Sequence, residues 1–137
     1  MINILIVEDQ TMLCESLTHI INEQEDMKVC GFTDDASKAL ALCREKQPDV
    51  ILMDVITKNN ANGITCAAQI RKELPDIKVI IITALPDITF IEEAKKAKVH
   101  SYIYKNSGIE HLFYVIRSTM KGIEVYPGPS AMPQYSD

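Results

Sequence analysis

The sequence predicts an α/β domain: one doubly wound sheet of five parallel strands with helices on both faces. Three observations predict it. Short runs rich in Ile and Val, without polar alternation, recur along the chain at residues 2–7, 50–53, 78–83 and 101–104, as expected of strands buried on both faces. Stretches with helical spacing separate them, the pattern of repeated βα units. At 137 residues the chain has the length of one domain, enough to bury roughly two-thirds of its unfolded surface.

Each element follows from local signals. Residues 2–7 form the first strand. Met12, Leu13, Leu17, Ile20 and Ile21 then recur at helical spacing, predicting a helix over 11–23. Residues 28–32 form a short second strand. Asp34 or Asp35 caps a helix whose inner face is Ala36, Ala39, Leu40 and Cys43, with Pro48 beyond its end. The third strand is 50–53. A polar loop over 57–62 leads to Gly63 and a helix carrying Ile64, Ala67, Ala68, Ile70 and Leu74, stopped by Pro75. Strand four is 78–83, followed by a helix over 87–98 that is charged on one side and thinly apolar on the other. Strand five is 101–104. Ser107 and Glu110 have the spacing of a capping box for a last helix, which buries Ile109, Leu112, Phe113, Ile116 and Met120 and ends at Gly122. Residues 122–137 hold three of the six prolines and no apolar periodicity, and read as a linker or frayed end.

Composition narrows the function. A net charge of −5 argues against direct nucleic-acid binding, which needs clustered Lys and Arg to neutralise phosphates. No apolar stretch approaches the roughly 20 residues that span a bilayer. The apolar run at the N-terminus leads straight into an acidic pair, so it reads as a strand and not a signal peptide. Cys14, Cys30, Cys43 and Cys66 form no C-x-x-C pair, and three of them fall in amphipathic stretches, as expected of reduced thiols in a cytoplasmic protein. His19, His100 and His111 lack any partner pattern and read as structural or surface residues.

Chemistry concentrates at the strand ends. Glu8 and Asp9 follow the first strand, Asp54 the third and Lys105 the fifth. In a parallel sheet the carboxyl ends of the strands share one edge, where ligands collect. Three carboxylates brought together repel by about a few kcal/mol at an effective dielectric near 20. A hard divalent cation relieves that, and Mg²⁺ suits carboxylate oxygens while keeping water in its shell and room for a phosphoryl group. One carboxylate at a strand end is as well read as a helix cap, and Thr83 alone as an ordinary β-branched residue. It is the combination with Lys105 that points to a site.

These residues also carry a family resemblance. The run ILIVED, the run VILMD, Thr-Ala after III, and SYIYK occur in the order found in receiver domains of two-component response regulators. The sequence resembles that family over residues 1–121. The resemblance implies the flavodoxin-like (βα)5 fold. It also implies Asp54 as acceptor of a phosphoryl group from a sensor histidine kinase. Mg²⁺ would be held by Asp9 and Asp54, by Glu8 through a water, and by the backbone carbonyl of Ile56. Lys105 and Thr83 would meet the phosphoryl oxygens, and Tyr102 would be the switch aromatic. Homodimerisation on phosphorylation is expected, with no catalysis beyond the chain's own phosphorylation and dephosphorylation.

Three departures from the family pattern stand out. Lys58 occupies a position where proline is usual, Gly63 comes one residue late, and Asn106 follows Lys105 where many relatives have proline. Asn106-Ser107 and the Gly122-x-x-x-Tyr126-Pro127 ending resemble the subfamily whose receivers precede a helix-turn-helix output domain. Binding to DNA would then belong to that second domain, which is not expected within this chain.

Competing readings fare worse. An aspartate-nucleophile phosphatase wants an acid two positions after Asp54, where Ile56 stands. A flavin or dinucleotide domain wants a Gly- or Ser/Thr-rich phosphate loop after the first strand, where Glu8-Asp9 would repel a phosphate. A receiver that only binds partners is the remaining alternative.

Overall fold

A computed structural model describes residues 1–85 and 87–128. Five parallel strands make one sheet in the order β2-β1-β3-β4-β5: β1 Ile2–Val7, β2 Met27–Thr33, β3 Val50–Met53, β4 Lys78–Thr83 and β5 Ser101–Tyr104. The connecting helices are α1 Thr11–Asn22, α2 Ala39–Lys46, α3 Gly63–Glu73, α4 Ile88–Lys96 and α5 Ile109–Met120.

Strand periodicity divides the core in two. Leu5, Val7, Ile51, Met53, Val79, Ile81, Tyr102 and Tyr104 face the layer of α2, α3 and α4. Ile4, Ile6, Val50, Leu52, Ile80, Ile82 and Ile103 face α1 and α5. Both faces are therefore apolar, which is why these strands read as continuous runs and not as alternating ones. The register of β1 and β2 slips between Ile4 and Leu5, so that Cys30 is passed over.

Most predicted boundaries hold within two residues. The start of α5 does not follow the predicted capping box: its N-cap is Gly108 at φ 92°, and the Ser107 hydroxyl donates instead to the Tyr104 carbonyl at 2.7 Å. A 3-10 turn over Lys105–Ser107 takes up the residues the box would have used. Asp35, not Asp34, supplies the cap before α2, accepting from Ser37 N at 2.9 Å ahead of a short 3-10 turn.

The segment after α5 differs most from the sequence expectation. Residues 123–126 lie along the outer edge of β5: Tyr102 N donates to Val125 O at 2.9 Å, and Val125 N to Ser101 Oγ at 3.0 Å. Tyr126 is partly buried against the α4 side of the core. An edge strand presents unpaired backbone groups, and the chain covers its own edge here. Residues 129–137 of the expected linker lie outside the described residues.

Candidate functional site

Strand register gathers the site. Val7 pairs with Met53, so the residues that follow each strand, Glu8 and Asp54, emerge side by side. Asp54 N donates to Val7 O at 3.1 Å, carrying the pairing one step further. Thr83 pairs with Tyr104, which places Lys105 just past the end of β4. The helices after β1 and β3 pack on opposite faces of the sheet, so a crevice opens between these neighbouring strands, where open α/β sheets bind ligands.

At the floor of the crevice the Lys105 ammonium bridges two carboxylates. Its Nζ lies 2.5 Å from Glu8 Oε1 and 2.9 Å from Asp54 Oδ2. The other oxygens are held by backbone: Asp54 Oδ1 accepts from Val55 N at 2.8 Å and Glu8 Oε2 from Gln10 N at 3.0 Å. Glu8 and Asp54 are buried, whereas Asp9 is exposed. Burial raises the pKa of Glu8, and its hydrogen bond to Lys105 opposes that rise. Burial pulls Lys105 downward, but the contacts with Glu8 and Asp54 outweigh it and hold the ammonium above the ordinary lysine value. The ammonium therefore stays charged while it neutralises the pair.

Glu8, Asp9 and Asp54 offer carboxylate oxygens within 4.8 Å of one another, one of them on an exposed side chain open to water. This all-oxygen donor set fits Mg²⁺, which prefers carboxylates and retained water. Ile56 lies at the rim, 45% exposed. The backbone around it is tied down, with an isolated bridge between Ile56 and Asn62.

The loop bearing the extra residue is built around Thr57, which is buried. Its Oγ1 accepts from Ala36 N at 2.8 Å and donates to Ala61 O at 3.3 Å. Lys58 N donates to Asp34 O at 3.0 Å, and the Lys58 ammonium lies 3.4 Å from Asp34 Oδ2. Asn59 and Asn60 absorb the insertion by taking positive φ (62° and 57°), a conformation asparagine tolerates. The Thr57 strap had no sequence signal, because its partners lie in a different loop. The Asn-Asn pair did carry one.

Thr83 is buried at the end of β4, and its hydroxyl accepts from Leu85 N at 3.1 Å. Tyr102 is fully buried on the α4 side, edge-on to Tyr104 at 6.0 Å between ring centroids. The structure thus brings Glu8, Asp9, Asp54 and Lys105 into direct proximity, with Thr83 on the adjoining strand. Tyr102 sits below the rim in the core.

Comparison with known proteins agrees with this geometry. Residues 4–117 match the response regulator receiver domain family. The response regulator protein VraR of Staphylococcus aureus is 31% identical over 91% of this chain, which spans 59% of that relative's length. A two-component response regulator of the LuxR family from Aurantimonas sp. SI85-9A1 superposes with a TM-score of 0.87 at 25% identity, covering 95% of this chain and 91% of that one. A DNA-binding response regulator of the LuxR family from Staphylococcus aureus gives 0.82 at 30% identity, covering 88% and 99%. With a family match across most of its length and the acidic crevice in place, this chain belongs to the receiver domain family of two-component response regulators.

Proposed function

We propose that residues 1–121 form a phosphorylation-operated switch in which Asp54 accepts a phosphoryl group from a sensor histidine kinase. The observation that carries this reading is the Lys105 ammonium held between two buried carboxylates at the rim of a parallel sheet. A carboxylate oxygen of Asp54 attacks phosphorus; a P–O bond forms as the P–N bond of the kinase phosphohistidine breaks, and the imidazole leaves. Such a transfer asks a protein for positioning and for neutralisation of charge on the equatorial oxygens, not for further covalent chemistry. Mg²⁺ held by Asp9, Asp54, Glu8 through water and the Ile56 carbonyl would supply most of that neutralisation. Lys105 supplies the rest, exchanging its contact with Asp54 Oδ2 for a phosphoryl oxygen. The Thr83 hydroxyl, which accepts from Leu85 N, keeps its own proton to donate to another.

Tyr102 relays the change. Drawing Thr83 toward the phosphoryl group favours an inward Tyr102, and the packing around β5 is the two-state element. A charge-assisted hydrogen bond of about 1.5–3 kcal/mol shifts such an equilibrium roughly 10- to 150-fold. Receiver domains are signalling proteins and not enzymes in the ordinary sense, and the only catalysis assigned to this chain is its own phosphorylation and dephosphorylation. It acts in the cytoplasm, where its kinase presents the phosphohistidine, and residues 122–137 lead toward an output domain.

Incubation with acetyl phosphate and Mg²⁺, read by intact mass, tests the assignment. One phosphoryl adduct is expected, lost with EDTA and absent in Asp54→Asn. Robust labelling of the Asn variant would sink it. Thr83→Ala should still take up phosphate yet fail to move the NMR signals around Tyr102.

A further inference from the structure

We propose that residues 123–126 are a docking arm whose seating on the edge of β5 is coupled, through Tyr102, to phosphoryl occupancy at Asp54. The arm starts where α5 ends and is held by a chain of specific contacts. Ile123 N donates to Ser118 O at 2.9 Å, Val125 N to Ser101 Oγ, and Ser101 Oγ shares a 2.7 Å hydrogen bond with Thr119 Oγ1. Tyr126 fills the space between β5 and α4. Its hydroxyl donates to Val99 O at 2.6 Å, its ring stacks on Tyr102 at 6.1 Å and 21°, and the Lys95 ammonium of α4 lies 5.2 Å from its centroid.

The coupling follows from what holds Tyr102 inward. Its ring is fully buried, yet its hydroxyl has no hydrogen-bond partner among the described residues. A buried hydroxyl left unpaired opposes burial. The inward position therefore depends on ring contacts: Tyr104 edge-on and Tyr126 stacked. Because β5 is the last strand, the path by which Tyr102 would swing to solvent crosses its outer edge, where the arm lies. An outward Tyr102 and a seated Tyr126 compete for one space. Whatever favours the inward ring therefore favours the seated arm, and by linkage the arm favours occupancy of Asp54 by the same factor. This inference rests on the phosphoacceptor reading above. It adds that the exit segment responds together with Tyr102.

The test uses the whole chain, with beryllofluoride and Mg²⁺ as a stable phosphoryl mimic. Backbone amide exchange is followed by NMR at Val55, Tyr102 and Val125. On addition of the mimic, exchange at Tyr102 and Val125 should slow several-fold, since both amides donate within the docked arm. Tyr126→Ala should weaken the mimic's apparent affinity by on the order of 3- to 10-fold, the worth of one aromatic pair. Tyr126→Phe, which keeps the ring, should restore most of it. A shift at Val55 with unchanged exchange at Tyr102 and Val125 would overturn the coupling alone, and needs no variant to observe. Unaltered affinity in a folded Tyr126→Ala would do the same. If no amide near Asp54 responds in the wild type, the phosphoacceptor reading falls first and the coupling with it.

Discussion

At Gly63 the first turn of α3 comes so close to β3 that an added Cβ would run into the Asp54 carbonyl oxygen and lie 2.9 Å from Met53 Cγ. Backbone cannot yield as a side-chain tip can, so Gly63→Ala should cost about 2–3 kcal/mol in urea denaturation. It should also impair phosphoryl uptake more than a stability loss of that size explains, because the displaced atoms belong to Asp54, the proposed phosphoacceptor. Ile56 poses the opposite case, an apolar branched side chain exposed at the rim. Two positions past Asp54, such a side chain has no group with which to orient a hydrolytic water. Ile56→Asn should therefore shorten the lifetime of the phosphorylated form, measured by loss of the adduct mass with time; an unchanged or longer lifetime would refute the argument.

Among the elements, the junction of β4 and β5 contains a titratable group. His100 N donates to Val79 O at 3.0 Å, and its Nδ1 accepts from Val79 N at 3.0 Å, so the neutral ring is built into the sheet margin. Burial, with Arg71 and Lys78 nearby, lowers its pKa to about 4. The folded pKa lies below the unfolded value near 6.5, so the unfolded chain binds more protons and stability falls as pH drops between those values. By pH 4.5 the loss from this group should reach about 2 kcal/mol. In His100→Asn the side-chain oxygen can replace the acceptor without titrating, so urea midpoints of that variant should fall less between pH 7 and 4.5. The sequence left this histidine without a role because its partner is a backbone amide of another strand. Strands were legible for the reverse reason: burial on two faces writes itself as uninterrupted Ile and Val. The cluster of Glu8, Asp9, Asp54 and Lys105 was legible because its charged groups come directly after such runs. The Ser107-Glu110 spacing misled, since the 3-10 turn after Lys105 moved the helix start to a glycine. Residues 123–126 were not legible, because edge pairing through backbone atoms leaves no apolar period.

For the molecule as a whole, charge and surface decide what the switch can deliver. The net charge is −5, and a phosphoryl group of about −1.5 to −2 replacing the −1 of the Asp54 carboxylate would add roughly −0.5 to −1, so phosphorylation would move the chain no closer to affinity for DNA phosphates. Arg71, Lys72, Lys96 and Lys98 do line one shallow groove between α3 and α4, but Arg71 is committed to the Lys98 and Pro75 carbonyls. On the proposed function, output is expected to come from association. Met12 on α1, Ile88 on α4, and Ile109 and Tyr114 on α5 are exposed apolar side chains on three different helices, which suits a modest, transient contact better than an obligate one. Two receivers that pair would bring two tethered output domains onto adjacent half-sites, raising their joint affinity without any contact between receiver and DNA. The chain should therefore sediment as a monomer alone and as a dimer with beryllofluoride and Mg²⁺, and should show no DNA binding at physiological salt in either state. Asp54→Asn should stay monomeric under both conditions. A wild type that remains monomeric with the mimic bound, at concentrations well above those in a cell, would rule out dimer-driven output.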